Sequence, residues 1–186
     1  AEKYFSVVDG QIRAANDESV PSSTYLLTKQ NFRNFRLLLE VKQTLGDKYS
    51  TMHSAVSLLG KRKNEAHNEF AFEGPILMFC HDWGIWDAYG RDRIYPAGQK
   101  RLDPIEDASW EKKGKWNQLE ILVVGNRIRM VANGRVTVDF TDKPSTLKNS
   151  PIGLQLHGNT QPQEFHFRGL VLVDSPANQL VTVKQW

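Results

Sequence analysis

The chain has 186 residues, a formal net charge of +3, 40% hydrophobic residues and 24% charged residues. This length suits one well-cored domain, and we predict that residues 1–186 form it. The basic residues are scattered and accompany no RNA-binding signature or basic helix, which argues against a nucleic-acid partner. No apolar run approaches the roughly 20 residues needed to cross a bilayer, so no membrane span is predicted.

Short alternating runs between turn signals recur along the chain, whereas helical periodicity is hard to find. Asp9-Gly10 and Asn133-Gly134 each join two such runs and predict a hairpin, and Asn133-Gly134 suits a type I′ turn, in which both central residues need positive φ. The sequence therefore predicts an all-β fold, a sandwich of two packed antiparallel sheets. In chain order, strands are predicted at residues 4–8, 11–15, 25–28, 35–42, 53–59, 70–80, 116–124, 127–132, 135–140, 152–157 and 165–173.

The stretch from Phe70 to Gly98 breaks this regular pattern and holds two of the five tryptophans and the single cysteine. That cysteine, Cys80, excludes an internal disulfide and lies in an apolar run typical of a buried thiol. Aromatic rings near solvent need a partner for their apolar faces, so residues 81–98 are predicted to wall a binding site. The alternative is an ordered connection whose rings pack back on the body. The candidate ligand contacts here are Trp83, Trp86, Asp87, Tyr89, Arg91 and Arg93.

A second group of candidates comes from sorting strand residues by face. In the strand at 35–42 the odd-numbered residues are apolar, so Glu40 lies on the opposite face. The same alternation gives Glu73, Gln155 and His157 outward positions. Carboxylates, amides and imidazoles beside aromatic rings are typical of carbohydrate recognition. Because one outer face of a sandwich can be concave, we expect these residues to converge there; the alternative is a set of separate, solvated positions. Weaker members of the set are Arg36, His166 and Arg168.

The sequence gives little support for metal or nucleophilic catalysis. Its five histidines form no HExxH motif and no close pair with ligand spacing, which argues against a dedicated zinc site. It contains no Gly-rich phosphate loop and no GxSxG elbow for a serine nucleophile. Calcium is the one cofactor that the sequence leaves open, with the loop carboxylates of Asp82 and Asp87 as candidate ligands.

Four segments resemble one protein family. They are residues 26–42, LLTKQNFRNFRLLLEVK; residues 116–140, WNQLEILVVGNRIRMVANGRVTVDF; residues 151–158, PIGLQLHG; and residues 164–173, EFHFRGLVLV. Together they resemble the 3-keto-disaccharide hydrolase domain family. The resemblance implies a concanavalin A-like jelly roll and a periplasmic or secreted bacterial protein whose signal peptide has been removed. The chain departs from the family pattern at His53, where the family has asparagine, and in much of the stretch from Phe70 to Gly98.

The resemblance also implies chemistry on sugars that are oxidised at carbon 3. A ketone there acidifies the proton on carbon 2, so a base can remove it, the group on carbon 1 can leave, and water can then add. Such catalysis needs a base, an acid for the leaving oxygen and a donor to the enolate. The residues that match the family are His157 as base or acid, Glu73 as its partner and Glu40. Arg91 or Arg93 would donate to the enolate or to sugar hydroxyls.

Three interpretations stay open from the sequence. The first is an enzyme that cleaves 3-keto-glycosides. The second is a non-catalytic carbohydrate-binding module on the same jelly roll, because a fold does not fix a function. The third is a structural subunit whose exposed rings, Trp83 and Trp86, are buried against a partner protein. A carbohydrate ligand is the expected partner in the first two, and an oligomer is compatible with all three.

Overall fold

The structure of the protein is a computed structural model that describes residues 3–46, 53–63, 71–79, 83–87, 92–95, 111–143 and 148–184. Within these ranges, no helix is long and apolar enough to cross a membrane. The regular elements are strands, namely β1 Phe5–Val8, β2 Gln11–Asn16, β3 Thr24–Leu27, β4 Phe35–Leu45, β5 Ala55–Ser57, β6 Lys61–Arg62, β7 Phe72–Glu73, β8 Ile76–Met78, β9 Ile85–Asp87, β10 Asp92–Tyr95, β11 Asn117–Val124, β12 Arg127–Ala132, β13 Arg135–Thr141, β14 Gly153–Leu156 and β15 Gln163–Asp174.

Two large antiparallel sheets enclose one hydrophobic core. The seven-stranded sheet has the order β1-β2-β15-β4-β11-β12-β13, and the six-stranded sheet has the order β10-β9-β8-β5-β14-β3. Alternate residues of β4 and β15, such as Leu39 and Phe167, enter the core from the first sheet, and Leu77 and Leu154 enter it from the second. The predicted all-β sandwich is therefore confirmed, and its core follows the period-two pattern of the sequence.

The two predicted tight turns are confirmed. Asp9 and Gly10 have φ values of 49° and 70°, and Asn133 and Gly134 have φ values of 50° and 92°. Each pair is the whole loop between two antiparallel strands, because the last paired residues flank it directly. Positive φ at both central positions matches the right-handed twist of the flanking strands, which fixes the register of β1 with β2 and of β12 with β13.

The strand predicted at residues 70–80 is not continuous, and this part of the prediction is wrong. The strand is interrupted between β7 and β8 at Gly74, which has a φ of 143°. A Cβ on Gly74 would lie 2.6 Å from the Cα of Gly60, so only glycine permits this close approach. As a result β7 pairs with β6 in a separate two-stranded hairpin, and only β8 joins the six-stranded sheet.

The outer face of the seven-stranded sheet carries ion pairs. Arg168 of β15 donates to Glu40 of β4 over 2.7 Å, and its guanidinium carbon lies 4.0 Å from the centre of the Trp116 ring. Nearby, Glu164 accepts hydrogen bonds from Arg13 at 2.5 Å and from Thr44 at 3.0 Å, and its carboxylate lies 2.7 Å from the ring nitrogen of His166. This face is therefore a surface of paired charges.

The Glu164 network should make the stability of the protein depend on pH in the acid range. Burial raises the pKa of Glu164, but hydrogen bonds with His166, Arg13 and Thr44 outweigh it and lower the pKa to about 2, from an ordinary value of 4.5. A lowered carboxyl pKa stabilises the fold above pH 4.5, and that stabilisation is lost as the pH falls from 4.5 toward 2. Because Arg13 is partly exposed, Glu164→Gln should cost only about 1–2 kcal/mol at pH 7.

Urea unfolding of both proteins at pH 7 and near pH 2 measures this contribution. The gap in unfolding free energy between wild type and Glu164→Gln should close at the lower pH. A gap of equal size at both values would show that the charge of Glu164 contributes nothing.

The segment after β15, residues 175–184, crosses the same outer face and is held by a buried carboxylate. Glu120 of β11 is 0% exposed and accepts hydrogen bonds from the amide of Thr182 at 2.9 Å and from its hydroxyl at 2.7 Å. The amide of Val181 donates to the same carboxylate at 3.0 Å, and Arg36 pairs with it at 3.0 Å. Further along, the amide of Lys184 donates to the carbonyl of Gly134 at 2.9 Å. We refer to residues 175–184 as the crossing segment.

Candidate functional site

A pocket of about 220 Å³ lies on the outer face of the six-stranded sheet. Strand alternation builds it: Leu154 of β14 and Leu77 of β8 point into the core, so their neighbours Gln155 and Met78 point outward. The β6–β7 hairpin adds Phe72 over one side. The lining combines four aromatic rings with two aliphatic and three polar side chains and one glycine, namely Tyr25, Phe72, Trp83, Trp86, Ile76, Met78, Ser23, Gln155, His157 and Gly74.

A buried amide forms the polar part of the pocket. Gln155 of β14 is opposite Tyr25 of β3 in the register, and its Nε2 donates to the Tyr25 hydroxyl over 3.0 Å. The two residues are 1% and 4% exposed. The Oε1 atom of Gln155 is buried and has no hydrogen-bond partner among the described residues. An amide held in this way is fixed in orientation and keeps one acceptor for a ligand or a water molecule.

A row of rings leads from His157 to the tryptophans. The ring centroids of His157 and His53 are 4.3 Å apart, those of His53 and Trp83 are 5.0 Å apart, and those of Trp83 and Trp86 are 6.3 Å apart. The indole nitrogen of Trp86 donates to the carbonyl of Trp83 over 2.7 Å, which fixes the orientation of the larger ring system. The pocket thus has a preformed aromatic wall, as sugar-binding sites need.

The environment of His157 favours its neutral form. Burial lowers the pKa of this imidazole from its ordinary value of 6.5, and a hydrogen bond with the backbone of Gly158 opposes the shift only in part. No Asp or Glu is among the described residues that line the pocket, so no described carboxylate restores the pKa. A neutral imidazole at neutral pH is in the protonation state that a general base requires.

The structure brings together four of the residues predicted from the sequence. Trp83, Trp86, Gln155 and His157 all line the pocket, although they come from two separate stretches of the chain. Sequence analysis did not propose His53 as a site residue and noted it only as a departure from the family pattern. The family has an asparagine amide at this position, just before β5, whereas this chain has an imidazole. This difference was the one signal in the sequence that could have identified His53 as a site residue.

Three other predicted residues lie away from the pocket. Glu40 lies on the outer face of the opposite sheet and pairs with Arg168. The weaker members of the predicted set lie on that same face. The predicted residues therefore do not converge on one face of the sandwich. Glu73 follows the lining residue Phe72 in β7, so the two side chains point to opposite sides of that strand. Glu73 forms an ion pair with Lys61 at 3.5 Å. Asp87 is 9% exposed and follows Trp86 in β9, so it points to the opposite side of that strand.

The remaining predictions concern residues that the structure describes only in part. Arg93 belongs to β10 and is opposite Trp86 in the register, and its side chain lies outside the described residues. Tyr89, Arg91, Cys80 and Asp82 also lie outside them. In the ranges that are described, no group of three His, Cys, Asp or Glu side chains has the arrangement of a metal site.

An aromatic pocket on one outer sheet face of a two-sheet jelly roll is an arrangement typical of carbohydrate recognition. A family model for the 3-keto-alpha-glucoside-1,2-lyase-like domain matches residues 1–172 of the chain. The chain therefore belongs to this family, which confirms the resemblance found in its sequence. A search of curated protein sequences finds no match.

Solved structures agree on the fold. A candidate glycosyl hydrolase from Parabacteroides distasonis superposes with a TM-score of 0.56 at 20% identity, covering 94% of this chain and 91% of that one. The carbohydrate binding module CBM66 from Bacillus subtilis gives 0.55 at 11% identity, covering 93% and 92%. The alginate lyase AlyC3 gives 0.50 at 14% identity, covering 92% and 78%. At these identities the likeness establishes the jelly-roll architecture alone.

Proposed function

We propose that this chain binds a 3-keto-glycoside in the pocket and cleaves it by elimination, with His157 as the base. The observation that carries the proposal is the imidazole of His157, which is held neutral by burial inside an aromatic pocket. The family to which the chain belongs is described as 3-keto-alpha-glucoside-1,2-lyase-like, which supports the same chemistry.

The size and lining of the pocket suit one sugar ring. Its volume of about 220 Å³ is below the range of pockets for drug-sized ligands, so the ring undergoing reaction is held here and the leaving group extends outward. Trp83 and Trp86 offer flat faces for the apolar C–H surface of the sugar. The Gln155 amide and Tyr25 hydroxyl offer polar contacts to its oxygens.

In the proposed reaction His157 takes the proton from carbon 2. The electron pair of that C–H bond moves into the enolate of the carbon-3 ketone. The enolate then collapses: the ketone at carbon 3 re-forms, the electron pair at carbon 2 forms the double bond between carbons 1 and 2, and the bond from carbon 1 to the leaving oxygen breaks. The proton now on His157 is available to that oxygen or to solvent, and water adds across the double bond in hydration. The Tyr25 hydroxyl and the Gln155 amide nitrogen are two described groups of the pocket that can donate to the enolate oxygen, where a preorganised donor has its largest effect.

A carbohydrate-binding module without catalysis is the second candidate. It is favoured by the absence of any Asp or Glu among the described lining residues, since both sugar hydrolysis and proton transfer commonly use carboxylates. The fold likeness to a carbohydrate binding module is compatible with it.

The two candidates differ in turnover and agree in binding. We expect that mixing the protein with a 3-keto-glucoside quenches or shifts the fluorescence of Trp83 and Trp86 and also releases the leaving group. The parent glucoside, which lacks the ketone, should not be cleaved because its carbon-2 proton is not acidic. Fluorescence change without release of the leaving group would favour the binding module. No fluorescence change with either sugar would contradict both candidates.

A further inference from the structure

We propose that the pocket selects glycosides of 6-deoxyhexoses, sugars that carry a methyl group on carbon 5 in place of a hydroxymethyl group. This assignment rests on the proposed function, because the role of His157 as base sets the position of the sugar. What it adds is the substrate class, which follows from the way that polar and apolar side chains are divided between two walls of the pocket.

The polar and apolar lining residues come from different parts of the six-stranded sheet. The polar wall is supplied by β3, β14 and the residues beside them, namely Ser23, Tyr25, Gln155 and His157. The apolar wall is supplied by β7, β8, β9 and the residues beside them, namely Phe72, Ile76, Met78, Trp83 and Trp86. Among the described residues, no side chain of the apolar wall carries an oxygen atom.

The strand order explains this division. β5 lies between β14 and β8 in the sheet, so Gln155 and Met78 are held on strands that are two spacings, about 10 Å, apart. Val56 of β5 enters the core, which leaves the small side chains of Ala55 and Ser57 on the outer face between the two walls. A single sugar ring placed over β5 therefore meets the polar wall with one edge and the apolar wall with the other.

The proposed reaction determines which edge of the sugar faces each wall. The base His157 and the donors Tyr25 and Gln155 all belong to the polar wall, so carbons 2 and 3 of the sugar are directed toward it. In a pyranose ring, carbon 5 is opposite carbon 2, and the ring oxygen is opposite carbon 3. Carbon 5 and its substituent are therefore directed toward Ile76 and Met78 of β8.

The apolar wall favours a methyl group at carbon 5. Met78 is only 2% exposed and offers a thioether, which is a weak acceptor, and the side chain of Ile76 has no polar atom. The indole nitrogen of Trp86 already donates to the carbonyl of Trp83 over 2.7 Å. The hydroxyl of a hydroxymethyl group would lose hydrogen bonds to water against this wall, whereas a methyl group gains free energy from burial.

The test compares two substrates that differ by one oxygen atom. They are the 4-nitrophenyl α-glycosides of 3-keto-6-deoxyglucose and 3-keto-glucose, and the release of nitrophenol by the full chain is followed. We expect kcat/KM to be about 10–100-fold higher for the 6-deoxy substrate, since an apolar pocket rejects an added hydroxyl by factors of this size. Equal values, or a preference for the hydroxymethyl sugar, overturn the inference and leave the proposed function standing.

A variant of the apolar wall tests the cause of the preference. Met78→Gln keeps the length of the side chain and supplies an amide for the hydroxyl, so the preference should fall by about 2–10-fold. Leu170→Gln, a similar change on β15 of the other sheet, is the matched control and should leave the preference unchanged. A folded Met78→Gln protein with the full wild-type preference overturns the placement of carbon 5 against β8. If this variant does not fold, the comparison of the two substrates in wild type decides.

Binding measurements separate a failure of this assignment from a failure of the proposed function. If neither substrate releases nitrophenol, the proposed function fails, and the methyl α-glycosides of the same two keto-sugars are compared by tryptophan fluorescence. A dissociation constant at least about fivefold lower for the 6-deoxy sugar then supports the selective wall. Equal constants, or no binding of either sugar, overturn it.

Discussion

His157→Gln should lower kcat for a 3-keto-glucoside by about 10²–10⁴-fold, the usual contribution of a general base. Glutamine keeps the size and a hydrogen-bonding end but cannot accept the carbon-2 proton. Because burial lowers the pKa of His157 from 6.5, the wild-type imidazole remains neutral at lower pH than an exposed histidine. The acidic limb of the wild-type pH profile of kcat/KM should therefore lie below pH 6.5 and should be absent from the residual activity of the variant.

Steady-state release of the leaving group measures this effect, and His166→Gln is the matched control. His166 has the same chemistry but lies beside Glu164 on the outer face of the seven-stranded sheet. Its replacement should change kcat by less than about twofold once the fold is shown to be intact, since His166 does not line the pocket. Equal losses in the two variants would falsify the assignment of His157 as the base.

Glu120→Ala should destabilise the protein by about 3–5 kcal/mol, as expected when one member of a buried ion pair is removed. The carboxylate is 0% exposed and joins Arg36 of β4 to the amides of Val181 and Thr182. Without it, the Arg36 guanidinium, whose side chain is only 12% exposed, loses its charge partner and the two amides lose their acceptor. Urea unfolding at pH 7, followed by tryptophan fluorescence, measures the loss.

Glu73→Ala is the control for this prediction. Glu73 forms an ion pair with Lys61 at 3.5 Å, and the side chains of Lys61 and Glu73 are 60% and 40% exposed. Such pairs contribute about 0–1 kcal/mol, so this variant should unfold close to the wild-type midpoint. A loss of stability in Glu120→Ala no larger than that in Glu73→Ala would mean that the crossing segment does not depend on the buried carboxylate.

Local chemistry is the part of this fold that the sequence predicts well. The alternation of β4, β11 and β15 is set by which side chains must leave water, and Asp9-Gly10 and Asn133-Gly134 impose their turns through backbone conformation. These effects act over two to four residues and can be read from a single chain. They were sufficient to predict the sandwich and most of its strands.

The candidate site was harder because it depends on which strands become neighbours. Alternation shows that Glu40 and His157 both point away from the core, but it does not show that they belong to different sheets. In the structure the two residues belong to different sheets, so their side chains lie on opposite outer faces of the sandwich. The break at Gly74 depends on the close approach of Gly60, a tertiary contact that no local pattern reveals. The contact between the rings of His53 and His157 has the same origin.

The crossing segment also bears on where the folding unit ends. The family model matches residues 1–172, yet residues 175–184 supply the hydrogen-bond donors that satisfy Glu120 and the Lys184 amide that completes the contact with Gly134. A protein truncated at the family boundary would leave the buried carboxylate of Glu120 with fewer partners. We therefore expect the folding unit to extend beyond the family match and to include the crossing segment as far as Lys184.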